Sequence, residues 1–198
     1  MSEISAKMVK ALRDQVGAGI MDCKEALAEC DGDMTKAVDF LRKKGLATAK
    51  KRAGRAMTEG VVTSYIHMGG KIGVMVEVNC ETDFVAKTDD FQTFARNIAM
   101  HIAATGPVGI APEDVPAEIV EKEKEIYRAQ AEEMGKPEQM IEKIAEGKLN
   151  KFYKESCLLN QPYVKEPDKT VADYVNEVIA VTGENISIRR FTRYQLGE

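Results

Sequence analysis

Only two histidines occur in the 198 residues, and neither sits in a pattern that catalysis or metal binding requires. His67 falls at the end of a strand-like run beside a Gly-Gly turn, with no serine or cysteine nucleophile and orienting acid signalled nearby. His101 flanks an apolar helical stripe of Phe94, Ile98 and Ile102, the setting of a satisfied, half-buried imidazole. Neither forms H-E-x-x-H, and the chain lacks both G-x-x-x-x-G-K-[ST] and G-x-G-x-x-G. The glycines Gly17 and Gly19 follow a helical pattern instead of a strand, which argues against a phosphate cradle there. Four cysteines, Cys23, Cys30, Cys80 and Cys157, are scattered without a C-x-x-C pair, so zinc and dithiol redox chemistry are not expected and idle thiols are. No apolar run approaches a membrane span, and the N-terminal residues lack the apolar core of a secretory signal. A soluble, cytoplasmic protein is expected, with no resident metal or cofactor. Charged residues make up 30% of the chain with a net charge of -4, so nothing draws the molecule as a whole to nucleic acid or to an anionic membrane. The remaining class is a binding protein that is not an enzyme.

What is present divides at Gly60. Ile4, Met8, Leu12 and Val16 recur at four-residue steps; Cys23, Ala26, Leu27 and Cys30 form a second helical pattern, and Ala37, Val38 and Leu41 a third that ends at Gly45. This predicts a compact three-helix domain over residues 1–45. Residues 46–59 carry Lys50, Lys51, Arg52 and Arg55 with few apolar positions and read as a basic, solvated linker. Through Glu59 there are 12 basic against 9 acidic residues, and 16 against 23 thereafter, a change of character that supports a boundary.

Residues 60–198 predict an α+β core domain. The runs at Val61–His67 and Lys71–Asn79 alternate with period two around Met68–Gly70, and Ile72, Val74, Val76 and Val78 share one face of the resulting hairpin. A helix from Phe91 to Gly106 is placed over that hairpin. Two more polar helical segments over about 117–147 form a projecting helical hairpin; their EKEKE run is a solvated face. A separate helix at 149–156, a loop through Leu158–Asp168, a last helix after Thr170 and a third strand within Glu184–Gln195 complete an antiparallel sheet of about three strands.

One stretch resists this bland reading. Asn79–Phe91 puts Phe84 beside Asp83 between the end of a strand and the start of a helix. From the residues alone, Thr82 or Asp83 caps a helical turn, with Phe84 and Val85 either tucked under the sheet edge or presented outward. The stretches Gly17–Leu27 (GAGIMDCKEAL), Val76–Lys87 (VEVNCETDFVAK) and Gly183–Phe191 (GENISIRRF) together resemble bacterial elongation factor Ts, in the short form with a single core module. The resemblance spans nearly the whole chain. It implies a guanine-nucleotide exchange factor of translation elongation that binds elongation factor Tu, and an N-terminal domain of the ubiquitin-associated type. It also implies that Thr82, Asp83, Phe84 and Val85 displace Mg²⁺ from the Tu GTPase domain and loosen GDP, while Arg13, Ile20, Met21 and Lys24 touch the same domain. Ile20 replaces a common family methionine, a conservative difference. Without the resemblance, Arg13 and Lys24 read as surface charges and Ile20 as a helix-start staple. Short family members pair as homodimers, which is expected here too. The competing readings are a peptide-binding or ubiquitin-fold adaptor built on the three-helix unit, which leaves Phe84 unexplained, and a thiol hydrolase using Cys80 or Cys157.

Overall fold

The computed structural model describes residues 4–52 and 54–198. In chain order it contains α1 (Ala6–Val16), α2 (Ile20–Glu29), α3 (Met34–Arg52), β1 (Glu59–Ile66), β2 (Ile72–Cys80), α4 (Asp83–Ala86), α5 (Asp89–Thr105), α6 (Ala117–Glu133), α7 (Glu138–Ser156), β3 (Pro162–Tyr163), β4 (Glu166–Thr170), α8 (Val171–Thr182) and β5 (Ile186–Gln195). Two compact units emerge. One comprises the chain through Val62 with Glu77–Ala95 and Asp173–Arg189; the other comprises Thr63–Val76, Arg96–Ala172 and Arg190–Glu198.

In the first unit, the spacing of apolar residues in α1–α3 closes a small core of Val9, Leu12, Cys23, Ala26, Leu27 and Ala37. Capping sets both ends of α1 and the start of α3. The Ser5 hydroxyl accepts the Met8 N–H at 3.3 Å, Gly17 ends α1 in the left-handed conformation, and Asp33 accepts the Lys36 N–H at 3.0 Å. The basic stretch expected to be a linker is helical as far as Arg52, because α3 does not stop at Gly45. That glycine is buried in the helix, where Ala180 of α8 would lie 3.5 Å from an added Cβ. Beyond it Ala, Lys and Arg, all strong helix formers, carry α3 onward. Arg42 pairs with Asp173 at 2.8 Å and the Arg52 guanidinium donates to the Ile179 carbonyl at 3.3 Å, fixing α3 to α8. Ala53, also assigned to the linker, and residues 1–3 of the N-terminal domain lie outside the described residues.

The three-stranded sheet has the order β1-β2-β5. His67 N–H meets the Ile72 carbonyl at 2.9 Å across the β1–β2 turn, and Leu196 N–H meets the Lys71 carbonyl at 2.8 Å, so the end of β5 lies at the start of β2 and both pairings are antiparallel. Along β2, Val74, Val76, Val78 and Cys80 are buried on one face, as the alternation requires.

In the second unit, α6 and α7 form a helical hairpin joined by a bidentate Arg128–Glu142 pair at 2.7 and 3.1 Å and by Lys148 on Gln130 at 2.6 Å. Its second arm runs unbroken to Ser156, so the expected end near residue 147 and the separate helix at 149–156 are one element. Gly147 has open space around it and nothing there forces a break. The Leu158–Asp168 stretch, expected as loop, holds β3 and the start of β4, a two-stranded antiparallel pair. Its two prolines are accommodated because so short a pair needs few N–H donors.

Candidate functional site

The last residue of β2 is Cys80, and after two intervening residues the chain enters α4, a single helical turn. So short a helix has no stability of its own and is held by what its ends bond to. At the front, the Thr82 hydroxyl oxygen accepts the Val85 N–H at 3.4 Å. At the back, the Thr88 hydroxyl donates to the Val85 carbonyl at 2.8 Å and the Gln92 amide donates to the Ala86 carbonyl at 2.6 Å. Ala86 is buried and Val85 half-buried, which anchors one side of the turn. Phe84 faces the other way, with 81% of its surface exposed. Of the two outcomes open for this ring, tucked or presented, the structure has the second.

Asp83 beside it is also exposed and pairs with Lys87 one turn on at 2.7 Å. That hydrogen bond holds the Asp83 carboxyl below the usual carboxylate range, so it is ionised at neutral pH. The turn therefore presents an aromatic ring and an anionic carboxylate side by side. Just upstream, the Cys80 thiol donates to the Thr82 carbonyl at 3.2 Å, and burial, followed by the nearby Glu184 charge, pushes its pKa up to about 11. It remains a protonated, unreactive thiol, as do Cys23 and Cys157, which burial likewise pushes up.

The second candidate set gathers around the α1–α2 connection. Arg13 is in the last turn of α1, and Ile20, Met21 and Lys24 are in the first turns of α2; all four are exposed, Met21 by 73%. Their neighbours Leu12 and Cys23 are fully buried, so the helix faces divide between core and solvent. A groove of about 600 Å³ runs past Arg13 and is lined also by Asp14, Asp89, Asp90 and Glu177. It joins the end of α1 to the beginning of α5, the helix that directly follows the Phe84 turn.

The histidines take no part. His67 receives a 3.1 Å contact from the Tyr65 hydroxyl at the surface. His101 is fully buried, not half-buried, because Gln161 and Tyr163, from the stretch expected to be loop, close over it. Among the described residues, no group of histidine, cysteine and carboxylate side chains is arranged to hold a metal ion, and no helix is long and apolar enough to cross a membrane.

Sequence comparison decides the family. A family model described as elongation factor TS matches residues 46–198. The chain belongs to the elongation factor Ts family. It is similar to the elongation factor Ts of Desulfosudis oleivorans, 68% identical over 198 residues and the full length of both chains. It is 64% identical over 195 residues to that of Geobacter sulfurreducens, covering 98% of this chain and 90% of the relative. Against that of Desulforamulus reducens it is 61% identical over 198 residues, all of this chain and 91% of the relative. The three-helix module, which precedes most of the family-model match, is thus spanned by elongation factor Ts relatives as well.

Residues to which the motifs assign no role lie beside the Phe84 turn. Glu81, Glu184, Asn185 and Arg55 interlock there through polar contacts of 2.7 to 3.4 Å. Glu184 and Asn185 sit within the GENISIRRF stretch, whose strand-like alternation is carried by its apolar members. The available signal was the carboxylate directly after Gly183, at a helix end where no charge-dipole argument calls for an acid.

Proposed function

We propose that the Thr82–Val85 turn is the part of this exchange factor that enters the nucleotide domain of elongation factor Tu, where Phe84 and Asp83 disturb the Mg²⁺ and phosphate region and loosen GDP. The chain, as a member of its family, is a guanine-nucleotide exchange factor of translation elongation and not an enzyme: GDP leaves Tu so that GTP can bind, and no bond in this protein is made or broken. The observation that carries the reading is the ring of Phe84, solvent-exposed on a turn pinned at both ends. An exposed aromatic of this kind has its desolvation energy still to gain, about 1.5 to 3 kcal/mol once covered. A pinned turn also reduces the ordering entropy lost on docking. Asp83 brings a negative charge to a site organised around a cation and anionic phosphates, and so competes with the phosphates for the metal.

Exchange is reciprocal: the factor weakens GDP binding by as much as GDP weakens binding of the factor. A ten-thousandfold coupling is about 5.5 kcal/mol, more than one ring supplies. The rest is assigned in this reading to Arg13, Ile20, Met21 and Lys24, which hold the complex in register from a three-helix module proposed to be of the ubiquitin-associated type. By the same reading the protein works in the cytoplasm as a homodimer. In support of pairing, Ile66 and Met68 are 65% and 88% exposed, Ile66 lies over Gly73, and Met75, two residues along the same strand face, is 56% exposed. An apolar sheet face of this kind suits a second copy. The deciding experiment is stopped-flow release of labelled GDP from Tu: Phe84→Ala slows release in a chain that stays folded, and an unchanged rate excludes the turn as the wedge.

A further inference from the structure

The turn that presents Phe84 depends on a carboxylate about a hundred residues away in sequence. At the end of α8 the chain turns at Gly183, whose N–H closes on the Ile179 carbonyl at 3.0 Å, and Glu184 follows. One oxygen of its carboxylate, Oε1, accepts the Thr82 hydroxyl proton at 2.6 Å. The other, Oε2, accepts two backbone N–H groups, from Thr82 at 3.0 Å and Glu81 at 3.2 Å. The exchange is mutual, since Glu81 Oε1 accepts the Asn185 N–H at 2.7 Å. Arg55 completes the cluster, 3.4 Å from Glu81 and accepting the Asn185 side-chain amide on its carbonyl.

The bond to the Thr82 hydroxyl does more than tether. A hydroxyl has one proton and two lone pairs, and it caps a helix only when the proton points elsewhere. By drawing that proton, Glu184 leaves the lone pairs of Thr82 Oγ1 for the Val85 N–H, the front bond of α4. The two N–H groups taken by Oε2 would otherwise stand unpaired where β2 ends. Phe84 is too exposed to be fixed by packing, so its direction is inherited from this backbone.

We infer that Glu184 is a positioning residue for nucleotide exchange: it orients the Thr82 hydroxyl and clamps the 81–82 backbone, and so aims Phe84 and Asp83 without touching the partner itself. The inference rests on the Phe84 turn being the exchanging element, and the test separates the two. Four variants are compared with the full chain: Glu184→Ala, Glu184→Gln, Phe84→Ala and the double Glu184→Ala/Phe84→Ala. Amide hydrogen exchange of the free chain at Val85 reads the cap without any partner. Stopped-flow release of labelled GDP from Tu, extrapolated to saturating factor, reads the function.

Loss of charge-assisted bonds of this kind predicts that Glu184→Ala speeds Val85 exchange by on the order of tenfold, with Val76 and Val78 in β2 unchanged, and lowers the saturating release rate by on the order of tenfold. Glu184→Gln, whose amide oxygen still takes the two backbone N–H groups but whose NH₂ donates to Thr82 Oγ1 instead of accepting its proton, keeps the backbone clamp without orienting the hydroxyl and falls between the wild type and Glu184→Ala in both readouts. On the Phe84→Ala background, removing Glu184 has little further effect on release. A Glu184→Ala chain with wild-type Val85 exchange or a wild-type release rate overturns the inference, as does an undiminished effect in the double variant. If Glu184→Ala does not fold, a Glu184→Gln chain indistinguishable from it overturns the inference, and a folded Glu184→Gln chain with Val85 partly protected upholds it. If Phe84→Ala alone leaves release unchanged, the reading of the turn fails, whatever Val85 reports.

Discussion

At the scale of single residues, exposure separates function from stability. Phe84 packs on nothing that folding needs, so Phe84→Ala should change the unfolding free energy by less than about 0.5 kcal/mol while slowing GDP release. Urea unfolding beside the release assay checks both halves. His101 is the opposite case. Its Nδ1 accepts the Val164 N–H at 3.3 Å, so Nε2 carries the proton and donates to Gln161 Oε1 at 2.9 Å, an oxygen that Thr105 also uses. A second proton on Nδ1 would face an N–H donor, and burial, only partly offset by Gln161, holds the His101 pKa below its ordinary value of 6.5. The unfolded chain thus binds this proton more readily than the folded one. Stability attributable to His101 is complete above pH 6.5 and declines as pH falls below it. Urea midpoints at pH 7.5 and 5.5 should therefore differ more for the wild-type chain than for His101→Gln. The chain's two histidines carry no catalytic pattern in the sequence, but the depth of His101 is not legible there, because the residues that bury it lie in a stretch with two prolines and no regular period.

At the scale of elements, the helical and strand periods were legible and the ends were not. Val74, Val76 and Val78 declare β2 by alternation, and the three-helix pattern of α1–α3 follows from residues spaced for one face. Glycine was the misleading sign. Gly17 does end a helix, yet Gly45 and Gly147 sit inside α3 and α7, because a helix carried by tertiary packing and good flanking formers tolerates the cost of about 1 kcal/mol. Gly147 has open space where a Cβ would go, so Gly147→Ala should stabilise the protein by about 0.5 to 1 kcal/mol, seen as a raised Tm. Gly60 is the reverse. At φ 147° its Cβ would collide with the Val78 carbonyl oxygen across the β1–β2 ladder. Gly60→Ala should therefore destabilise by about 2 kcal/mol or more, measurable in the same melt. The candidate turn was legible as an oddity, an aromatic placed between a strand and a helix; its supports were not, since Thr82 and Glu184 meet only once the sheet has formed.

At the scale of the whole molecule, a face of bare apolar side chains on the sheet argues for association. Light scattering at micromolar concentration should give twice the 21.9 kDa of one chain, and Met75→Lys should shift the mass toward a single copy without unfolding it. The cysteines offer a second global readout. Cys23, Cys80 and Cys157 are sealed within the fold as protonated thiols, whereas Cys30 is partly open to solvent at the end of α2. A maleimide added to the native protein accordingly meets one sulfur quickly and the other three only as the chain opens. The native molecule can carry a single dye far along the chain from the Phe84 turn, and the delay of the remaining labels becomes a clock for how often each part of the protein comes undone.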